Sequence, residues 1–445
     1  MTTWWCEHAV VDGRLESGVS ITCDGTAITS VAVDSIAGDD AVRLPGVTLP
    51  GFANAHSHAF HRALRSRVQA ERGTFWTWRD LMYTAAERLD PDNYYRLAVG
   101  VFAEMALAGT SCVGEFHYVH HSPDGTPYDD ANAMGKALLA AAQRVGIRIT
   151  LLDTLYLHGG LTESGYAAPV GAQRRFTDGS ADSWAARVDA LSTTNTQRIG
   201  AAIHSVRAVD PKSMRAAVEW TADREAPLHA HVSEQVAENE QCVRHHGCSP
   251  VELLGSVDAL TSRFTAVHAT HLSESDIAHL GSCGATVCMC PTTERDLGDG
   301  IGPTVPLIGA GARLSLGSDS HAVIDQMVEA RAVEMHERLA SETRGVHSAF
   351  ELLEMATSNG HRSLGWEDAG QIRAGQRGDL TTISFSSQRL AGTLPEFAVE
   401  AAIFASTTSD ITSVVVDGEQ IVCDGQHRSI DVASELRGAI EELLS

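Results

Sequence analysis

The order of hydrophobic and polar positions divides the chain into two β-rich ends and a longer middle of a different type. Within residues 1–49, short apolar runs such as HAVV, GVSITC and AITSVAV alternate with Asp-Gly and Gly-Asp turn signals, as in small antiparallel sheets. Residues 370–445 repeat this pattern, and SVVVDGEQIVCDG predicts a hairpin closed by Asp417-Gly418. We therefore expect both termini to form one small β-sandwich domain, with a helix at the C-terminal end.

The middle of the chain, residues 50–369, repeats a short apolar run, a polar loop and a helix-length amphipathic stretch. This order is typical of βα units around a parallel sheet. One predicted helix runs from Pro91 to Leu107, with proline in its first turn and Gly109 just beyond its end. Eight such units indicate an α/β fold of the (β/α)₈ TIM-barrel type; the alternative, an open doubly wound sheet, would need a Gly-rich phosphate turn after the first strand. The apolar cores of the eight predicted strands are VTLPGFA, TSCVGEF, ITLLDTLY, IGAAIHS, PLHAHVS, FTAVHAT, ATVCMC and RLSLGSD.

Composition and charge narrow the class of partner. The 445 residues are 43% hydrophobic and 20% charged, which is enough apolar material for a large core without disulfides or a structural metal. A formal net charge of -24 repels phosphate backbones and anionic lipid surfaces, so nucleic acid and membranes are excluded as partners. Nine cysteines without paired spacing favour reduced thiols, and neither a basic leader nor a run of about 18 apolar residues is present. We expect a cytoplasmic protein.

Histidines and one aspartate recur where the predicted strands end. The first strand runs into AHSHAFHR, and His56 and His58 point to one side because side chains alternate along an extended chain. Later strands end in LHAHVSEQ, TAVHAT and SLGSDSH, which place His231, His268 and Asp319 at the same rim. His-x-His alone is a weak indication. Five such residues at four strand ends, however, predict a site for a divalent ion such as Zn²⁺ or Fe²⁺.

Other polar residues near these strands allow two interpretations. Glu234 lies three residues beyond His231, where its carboxylate can reach the reacting group, but taken alone its position favours a first-turn acid of the next helix. His229 is as readily a buried, hydrogen-bonded histidine as a ligand. Histidines in polar stretches are expected to be solvated; these are His120, His121, His245 and His246. The cysteines of the seventh strand, Cys288 and Cys290, are expected to be buried strand residues.

The order of these residues between two β-rich ends resembles the amidohydrolase superfamily, in its mononuclear deaminase-like branch. A narrower resemblance, to the bacterial formimidoylglutamate deiminase family, rests on NAHSHAFHRALR, FWTWRDLMY, GEFHYVHH, QRRF, IHSVRAV, HVSEQ and GSDSH. It implies hydrolysis of N-formimino-L-glutamate to N-formyl-L-glutamate and ammonia in histidine degradation, by a zinc-activated water. It also implies a homodimer with one zinc ion per subunit, although the ligand types admit iron or manganese.

The resemblance further implies a role for each candidate residue. The residues that would bind zinc are His56, His58, His231 and Asp319. Glu234, His268 and Asp319 would move protons between water and the amidine, and the sequence leaves open which is the principal base. The residues that would hold the substrate are His61, Arg79, Tyr118, His204 and Arg207. One position departs from the family, since His61 stands where Gln is common.

Two other functions remain open at this point. A deaminase of the same branch that acts on a purine, pyrimidine or triazine ring would keep the metal ligands, but a neutral ring would not need Arg207. An acidic substrate does need local guanidinium groups inside a protein of charge -24, and lysine is a poor substitute for bidentate contacts. The alternative of another class is a non-catalytic amidohydrolase-like scaffold, which the complete set of expected ligands argues against.

Overall fold

The structure is a computed structural model, and it describes residues 1–69 and 75–445, with the side chains of Phe75 and Trp76 outside the description. Its strands follow the period-two apolar runs of the sequence. In chain order they are β1 (Thr2–Val11), β2 (Arg14–Asp24), β3 (Ala27–Ala32), β4 (Val42–Pro50), β5 (Phe52–Ser57), β6 (Thr110–His117), β7 (Arg148–Leu155), β8 (Gly160–Thr162), β9 (Gly165–Ala167), β10 (Gln197–Ile203), β11 (Leu228–Val232), β12 (Phe264–His268), β13 (Thr286–Met289), β14 (Arg313–Leu316), β15 (Leu380–Ile383), β16 (Ile411–Val416), β17 (Glu419–Cys423) and β18 (Gln426–His427).

The helices lie mainly between the strands of the middle region. They are α1 (Phe75–Arg88), α2 (Pro91–Leu107), α3 (Ala133–Val145), α4 (Ala181–Val188), α5 (Pro211–Arg224), α6 (Val236–His246), α7 (Pro250–Gly255), α8 (Glu274–Ser282), α9 (Pro291–Leu297), α10 (Thr304–Ala310), α11 (Gln326–Ser341), α12 (Ala349–Ala356), α13 (Ser358–Ser363), α14 (Ala398–Ala405) and α15 (Val432–Leu444). Short 3₁₀ turns cover Ala59–Leu64, Gly171–Phe176, Pro395–Phe397 and Thr408–Asp410.

Helix α2 shows how local chemistry sets these bounds. The Asp90 side chain accepts hydrogen bonds from the backbone N–H groups of Asp92 and Asn93, and Pro91 occupies the first helical position. Beyond the helix, Gly109 adopts a φ of +84°, a left-handed conformation that favours glycine. The helix predicted from the sequence, Pro91–Leu107, is confirmed.

Eight parallel strands form the barrel in the order β5, β6, β7, β10, β11, β12, β13 and β14, which confirms the predicted fold. The ring closes between β5 and β14 by a parallel bridge between Ser57 and Asp319. Two backbone hydrogen bonds flank that bridge: Asp319 N–H donates to the carbonyl of His56 at 3.0 Å, and His58 N–H donates to the carbonyl of Asp319 at 3.3 Å. The seam of the barrel therefore lies at the candidate metal ligands.

The apolar run VTLPGFA, predicted as the first barrel strand, is divided between two sheets. Residues 47–50 end β4, which pairs with β1 and β15 in the terminal sheet, and β5 begins at Phe52. Gly51 separates the two strands. Hydropathy alone could not show this, because both halves of the run are fully buried.

The two ends of the chain form one β-rich unit, as predicted. Its eight strands lie in the order β18, β17, β16, β15, β4, β1, β2 and β3, in one sheet that is antiparallel except between β1 and β4. The β16–β17 hairpin turns at Asp417 and Gly418, with φ values of +51° and +77° that suit an Asp-Gly turn. The boundaries at 49/50 and 369/370 stay predictions. In the described part of the chain no helix combines the length and the apolarity that crossing a bilayer requires.

Candidate metal centre and active-site cavity

Three imidazoles and one carboxylate meet at the carboxyl end of the barrel. His56 Nε2 lies 3.3 Å and His58 Nε2 3.4 Å from Asp319 Oδ1. His231 Nε2 lies 3.3 Å from His56 Nε2 and 3.4 Å from His58 Nε2. The structure thus brings together the four residues predicted as metal ligands, from β5, β11 and the residues after β14.

Contacts on the far side of two rings determine which nitrogen faces this centre. His58 Nδ1 lies 2.9 Å from the carbonyl oxygen of Phe116, and His231 Nδ1 lies 2.8 Å from that of His204. A carbonyl only accepts, so Nδ1 carries the proton in both rings. The Nε2 lone pairs of His58 and His231 therefore point into the centre, as in histidines that bind metals. Burial lowers the pKa of both residues, which keeps the rings neutral.

The donor set fits a divalent cation. Unprotonated Nε2 atoms 3.3–3.4 Å apart repel one another unless a positive charge lies among them. Ligand atoms at about 2.0–2.1 Å from a tetrahedral zinc ion are about 3.3–3.4 Å from each other, so the observed spacing suits such an ion. Burial raises the pKa of Asp319, but contacts with His56, His268 and His58 outweigh it and hold that pKa well below its ordinary value. Asp319 is therefore anionic.

Buried hydrogen bonds hold the ligand-bearing backbone in place. The Glu115 carboxylate of β6 accepts from Ser57 Oγ and from the N–H of Ala59, both at 2.6 Å, so it fixes the residues on either side of His58. Across the seam, Asn54 Nδ2 donates to Ser318 Oγ at 2.6 Å, and Asn54 Oδ1 accepts from the Ser318 N–H at 2.9 Å. These contacts position His58 and Asp319 from the side opposite the cavity.

Two site residues also have backbone conformations that are unusual for their type. His268 has a φ of +68° and Asp319 a φ of +42°, in the left-handed region that non-glycine residues rarely adopt. Strain of this kind concentrates at functional sites, where the surrounding structure imposes it. His268 is the last residue of β12, and Asp319 lies three residues beyond the end of β14, so the unusual backbone occurs where the strands give way to the rim.

Glu234, His268 and Asp319 form a line of titratable groups, in which Asp319 is also one of the four predicted metal ligands. His268 Nε2 lies 3.7 Å from Glu234 Oε1 and 3.8 Å from Asp319 Oδ2. Its Nδ1 lies 3.4 Å from Glu294 Oε1 on the other side of the ring. Burial lowers the pKa of His268, but these carboxylates together raise it well above its ordinary value. Burial raises the pKa of Glu234 to about 7.

The centre opens into a cavity of about 250 Å³. Every predicted site residue except His56 lines it; His56 contacts the lining residues His231 and Asp319. The residues that were predicted from the sequence and line the cavity are His58, His61, Arg79, Tyr118, His204, Arg207, His231, Glu234, His268 and Asp319. A cavity of this size suits a small molecule that fills most of the space.

The predicted substrate-binding residues surround this cavity. His61 Nε2 lies 3.0 Å from the Tyr118 hydroxyl. Burial lowers the pKa of His61 to about 3, and it lowers that of His204 to about 3 as well, so both rings are neutral. Arg207 Nε donates to Glu238 Oε2 at 3.1 Å, and the Glu238 side chain is fully buried.

Sequence reasoning missed several residues that support the site. Glu294 and Glu238 lie in the first turns of α9 and α6, where an acidic residue is common and therefore gave no indication of the site. Glu115 gave none either, because it lies within an apolar strand. Tyr156, at the end of the third predicted strand, lines the cavity, as do Tyr83 and Gln173, to which the sequence analysis assigned no role.

The expectation that His120 and His121 are solvated is wrong. Both are buried. His120 Nε2 donates to the carbonyl of Thr154 at 2.9 Å, and His121 Nε2 lies 3.1 Å from Asp178 Oδ1. The backbone N–H groups of His120 and His121 donate to the carbonyl of Arg175, so both residues pack against the 3₁₀ segment at 171–176. The polarity of the local sequence did not reveal this contact. By contrast, His229 is a buried histidine bonded to the Ser363 carbonyl at 2.9 Å, and Cys288 and Cys290 are buried as predicted.

Comparisons with known proteins agree with this architecture. The family model described as "Amidohydrolase family" matches residues 47–421. The chain is 34% identical over 419 residues to formimidoylglutamate deiminase of Pseudomonas aeruginosa, covering 92% of this chain and 91% of that one. It is 32% identical to an amidohydrolase from Brucella melitensis, whose crystal structure superposes with a TM-score of 0.93 over all of both chains. An adenosine deaminase from Xanthomonas campestris with bound zinc shares the fold at 20% identity, with a TM-score of 0.84 and coverage of 99% and 97%.

Proposed function

The chain belongs to the amidohydrolase family, and from this premise we propose that it hydrolyses N-formimino-L-glutamate to N-formyl-L-glutamate and ammonia, in histidine degradation. One observation carries the proposal: the Arg207 guanidinium lines the same cavity of about 250 Å³ as the His/Asp centre and the Glu234 carboxylate. That cavity offers a cationic group for an acid and an anionic group for an amidine. Such a combination suits a small acidic amidine better than a neutral ring.

The cofactor in this proposal is one divalent cation per subunit. Zinc is the first candidate, and iron or manganese are the alternatives. The residues that would hold it are His56, His58, His231 and Asp319, whose spacing and protonation support this assignment. When bound, such an ion lowers the pKa of water from about 15.7 to about 7 and so supplies a nucleophile at neutral pH.

The protein's own groups then handle the protons. The formimino group is a cation at neutral pH, and the Glu234 carboxylate pairs with it. Because burial raises the pKa of Glu234 to about 7, this side chain can take up and release a proton near neutrality. Once water has added to the formimino carbon, Glu234 takes the remaining hydroxyl proton of the adduct and passes it to the departing nitrogen. The C–N bond then breaks, the carbonyl forms and ammonia leaves.

His268 and Asp319 act on the attacking oxygen. Asp319 is an unprotonated carboxylate and accepts one proton of the attacking water. Its Oδ2 lies 3.8 Å from His268 Nε2. His268 is held as an imidazolium by its carboxylate neighbours, and its Nε2–H stabilises the negative charge that develops on oxygen.

Other residues of the same cavity bind the two substrate carboxylates. They are Arg207, Arg79, Tyr118 and the neutral rings of His61 and His204, all of which line the cavity. Glu238 holds the Arg207 guanidinium by its Nε, so the guanidinium is oriented before the substrate arrives.

The deciding experiment is an ammonia-release assay on zinc-loaded protein. We expect release from N-formimino-L-glutamate, much slower release from the aspartate homologue, and none from guanine, cytosine or melamine. Release from a ring compound alone would replace this function with that of a ring deaminase. Protein that binds no metal and releases no ammonia from any of them would be a non-catalytic scaffold. A chelator-treated sample regaining activity with zinc is the internal control.

Assembly and compartment belong to the same proposal. We propose a homodimer, which sedimentation velocity of the purified chain would detect, and a small-molecule substrate as the only other partner. A cytoplasmic location agrees with the nine cysteines, all of which lie in the described residues as free thiols.

A further inference from the structure

Gln173 lies in the cavity wall, and its amide group has a defined orientation. Its Oε1 accepts a hydrogen bond from the N–H of Val170 at 3.1 Å, and its Nε2 donates to the carbonyl of Gly159 at 2.9 Å. A backbone N–H only donates and a carbonyl only accepts, so these contacts assign both ends of the amide. The second N–H of Nε2 remains for the hydroxyls of Tyr83 and Tyr156, each 3.1 Å away.

This arrangement makes the wall a surface of hydrogen-bond donors. An amide nitrogen does not accept, so neither phenol can donate its proton to Gln173. A hydrogen bond between the two hydroxyls uses one proton only, which leaves at least one O–H for an acceptor outside the pair. Burial raises the pKa of Tyr156 far above its ordinary value, with Arg207 acting in the opposite direction, so the hydroxyl stays protonated at physiological pH.

The donor wall lies beyond His204 as seen from the metal centre. The ring of His204 is 5.2 Å from that of His231 and 4.7 Å from that of Tyr156, centroid to centroid. A substrate whose amidine sits at the centre must therefore extend past His204 to reach the wall. Arg207 lines the same stretch, held by Glu238, which also accepts from the N–H of Ser233 at 3.0 Å.

We propose that Tyr83 and Tyr156, oriented by Gln173, act with Arg207 to bind the substrate carboxylate farthest from the amidine, and so select the length of the acid. The inference rests on the proposed function and names residues for which that function alone gives no role. A wall of donors suits a carboxylate, which only accepts. It does not suit a neutral heterocycle, whose edge carries both donors and acceptors.

The test compares two substrates on the zinc-loaded protein. N-formimino-L-glutamate carries the distal carboxylate, whereas N-formiminoglycine lacks it. For Tyr156→Phe and Tyr83→Phe, we expect KM for the glutamate compound to rise by about ten-fold or more, as for a lost hydrogen bond to a charged group, with kcat within two-fold. KM for the glycine compound should stay within two-fold of wild type.

Two further variants sharpen the comparison. Gln173→Glu places a carboxylate among the hydroxyls, where it accepts their protons and repels the substrate, so KM should rise for the glutamate compound only. Tyr128→Phe is the matched control: its hydroxyl contacts Arg175 Nη2 at 3.5 Å and it does not line the cavity, so neither substrate should be affected.

Binding of glutarate, measured by calorimetry, separates this inference from the proposed function. Glutarate has two carboxylates and no amidine, and we expect the Tyr variants to weaken it about ten-fold or more. Equal losses on both substrates, or no loss on either, would overturn the role of the wall. If wild type binds glutarate in a Tyr156-dependent way but releases no ammonia from N-formimino-L-glutamate, the role of the donor wall stands and the proposed reaction is wrong.

Discussion

Arg207→Lys tests whether the cavity recognises an acid through a planar, oriented guanidinium. In the wild type, Arg207 Nε is committed to Glu238 at 3.1 Å, and the terminal nitrogens are left for the substrate. A lysine ammonium is a single point of charge, so it can satisfy the fully buried Glu238 or the substrate, but not both with good geometry. The variant therefore loses one charge-assisted hydrogen bond even though its net charge is unchanged.

The size of that loss can be worked out. A hydrogen bond to a charged group contributes about 1.5–3 kcal/mol, and about 1.4 kcal/mol corresponds to a factor of ten, so kcat/KM for N-formimino-L-glutamate should fall by about 10- to 150-fold. Because the guanidinium binds the ground state and the transition state alike, the change should lie in KM with kcat nearly constant.

Steady-state ammonia release on zinc-loaded protein measures both constants. The matched control is Arg224→Lys, since Arg224 pairs with Asp189 at 2.8 Å, is 40% exposed and does not line the cavity. The control should stay within two-fold of wild type. If Arg207→Lys also keeps kcat/KM within two-fold, the argument that this guanidinium holds a substrate carboxylate is refuted.

Four other substitutions, at three positions, give separable results. Glu234→Gln should lower kcat by about 10²–10⁴ with the zinc content unchanged by atomic emission, and an unaltered kcat would remove its role in proton transfer. His61→Gln keeps a side chain that can hydrogen-bond to the Tyr118 hydroxyl, so its kcat/KM should stay within about three-fold of wild type. His61→Leu removes that hydrogen bond, so its kcat/KM should fall below that of His61→Gln. Asp379→Asn leaves the fully buried Arg148 without its main partner and should cost about 3–5 kcal/mol in urea denaturation at pH 7. Burial raises the pKa of Asp379, but Arg148 outweighs it and lowers that pKa; the pair therefore stabilises the fold above the unfolded pKa of about 3.9, and the difference between wild type and variant should shrink as the pH falls below it.

The barrel and its rim were predictable from local patterns. Strand periodicity, turn signals and the His-x-His step depend on neighbouring residues, and parallel strands that share one direction bring their carboxyl ends to one rim. For this reason the positions of His56, His58, His231, His268 and Asp319 around one centre followed from four short segments. The split of VTLPGFA did not follow, because pairing with β1 and β15 decides it and those strands lie far away in the chain.

By itself, then, the amino-acid sequence determined the barrel, the β-rich unit built from both ends and the kind of donor atoms at the rim. Only the tertiary structure decided how those donors are presented. The carbonyl of Phe116 determines which nitrogen of His58 carries the proton, and Glu115 fixes the backbone beside His58. Gln173, which lies in a separate 3₁₀ turn, orients the phenols of Tyr83 and Tyr156. The physical reason is that hydrogen bonds are short and directional, so a proton's position depends on partners that folding brings within about 3 Å and that no local pattern records.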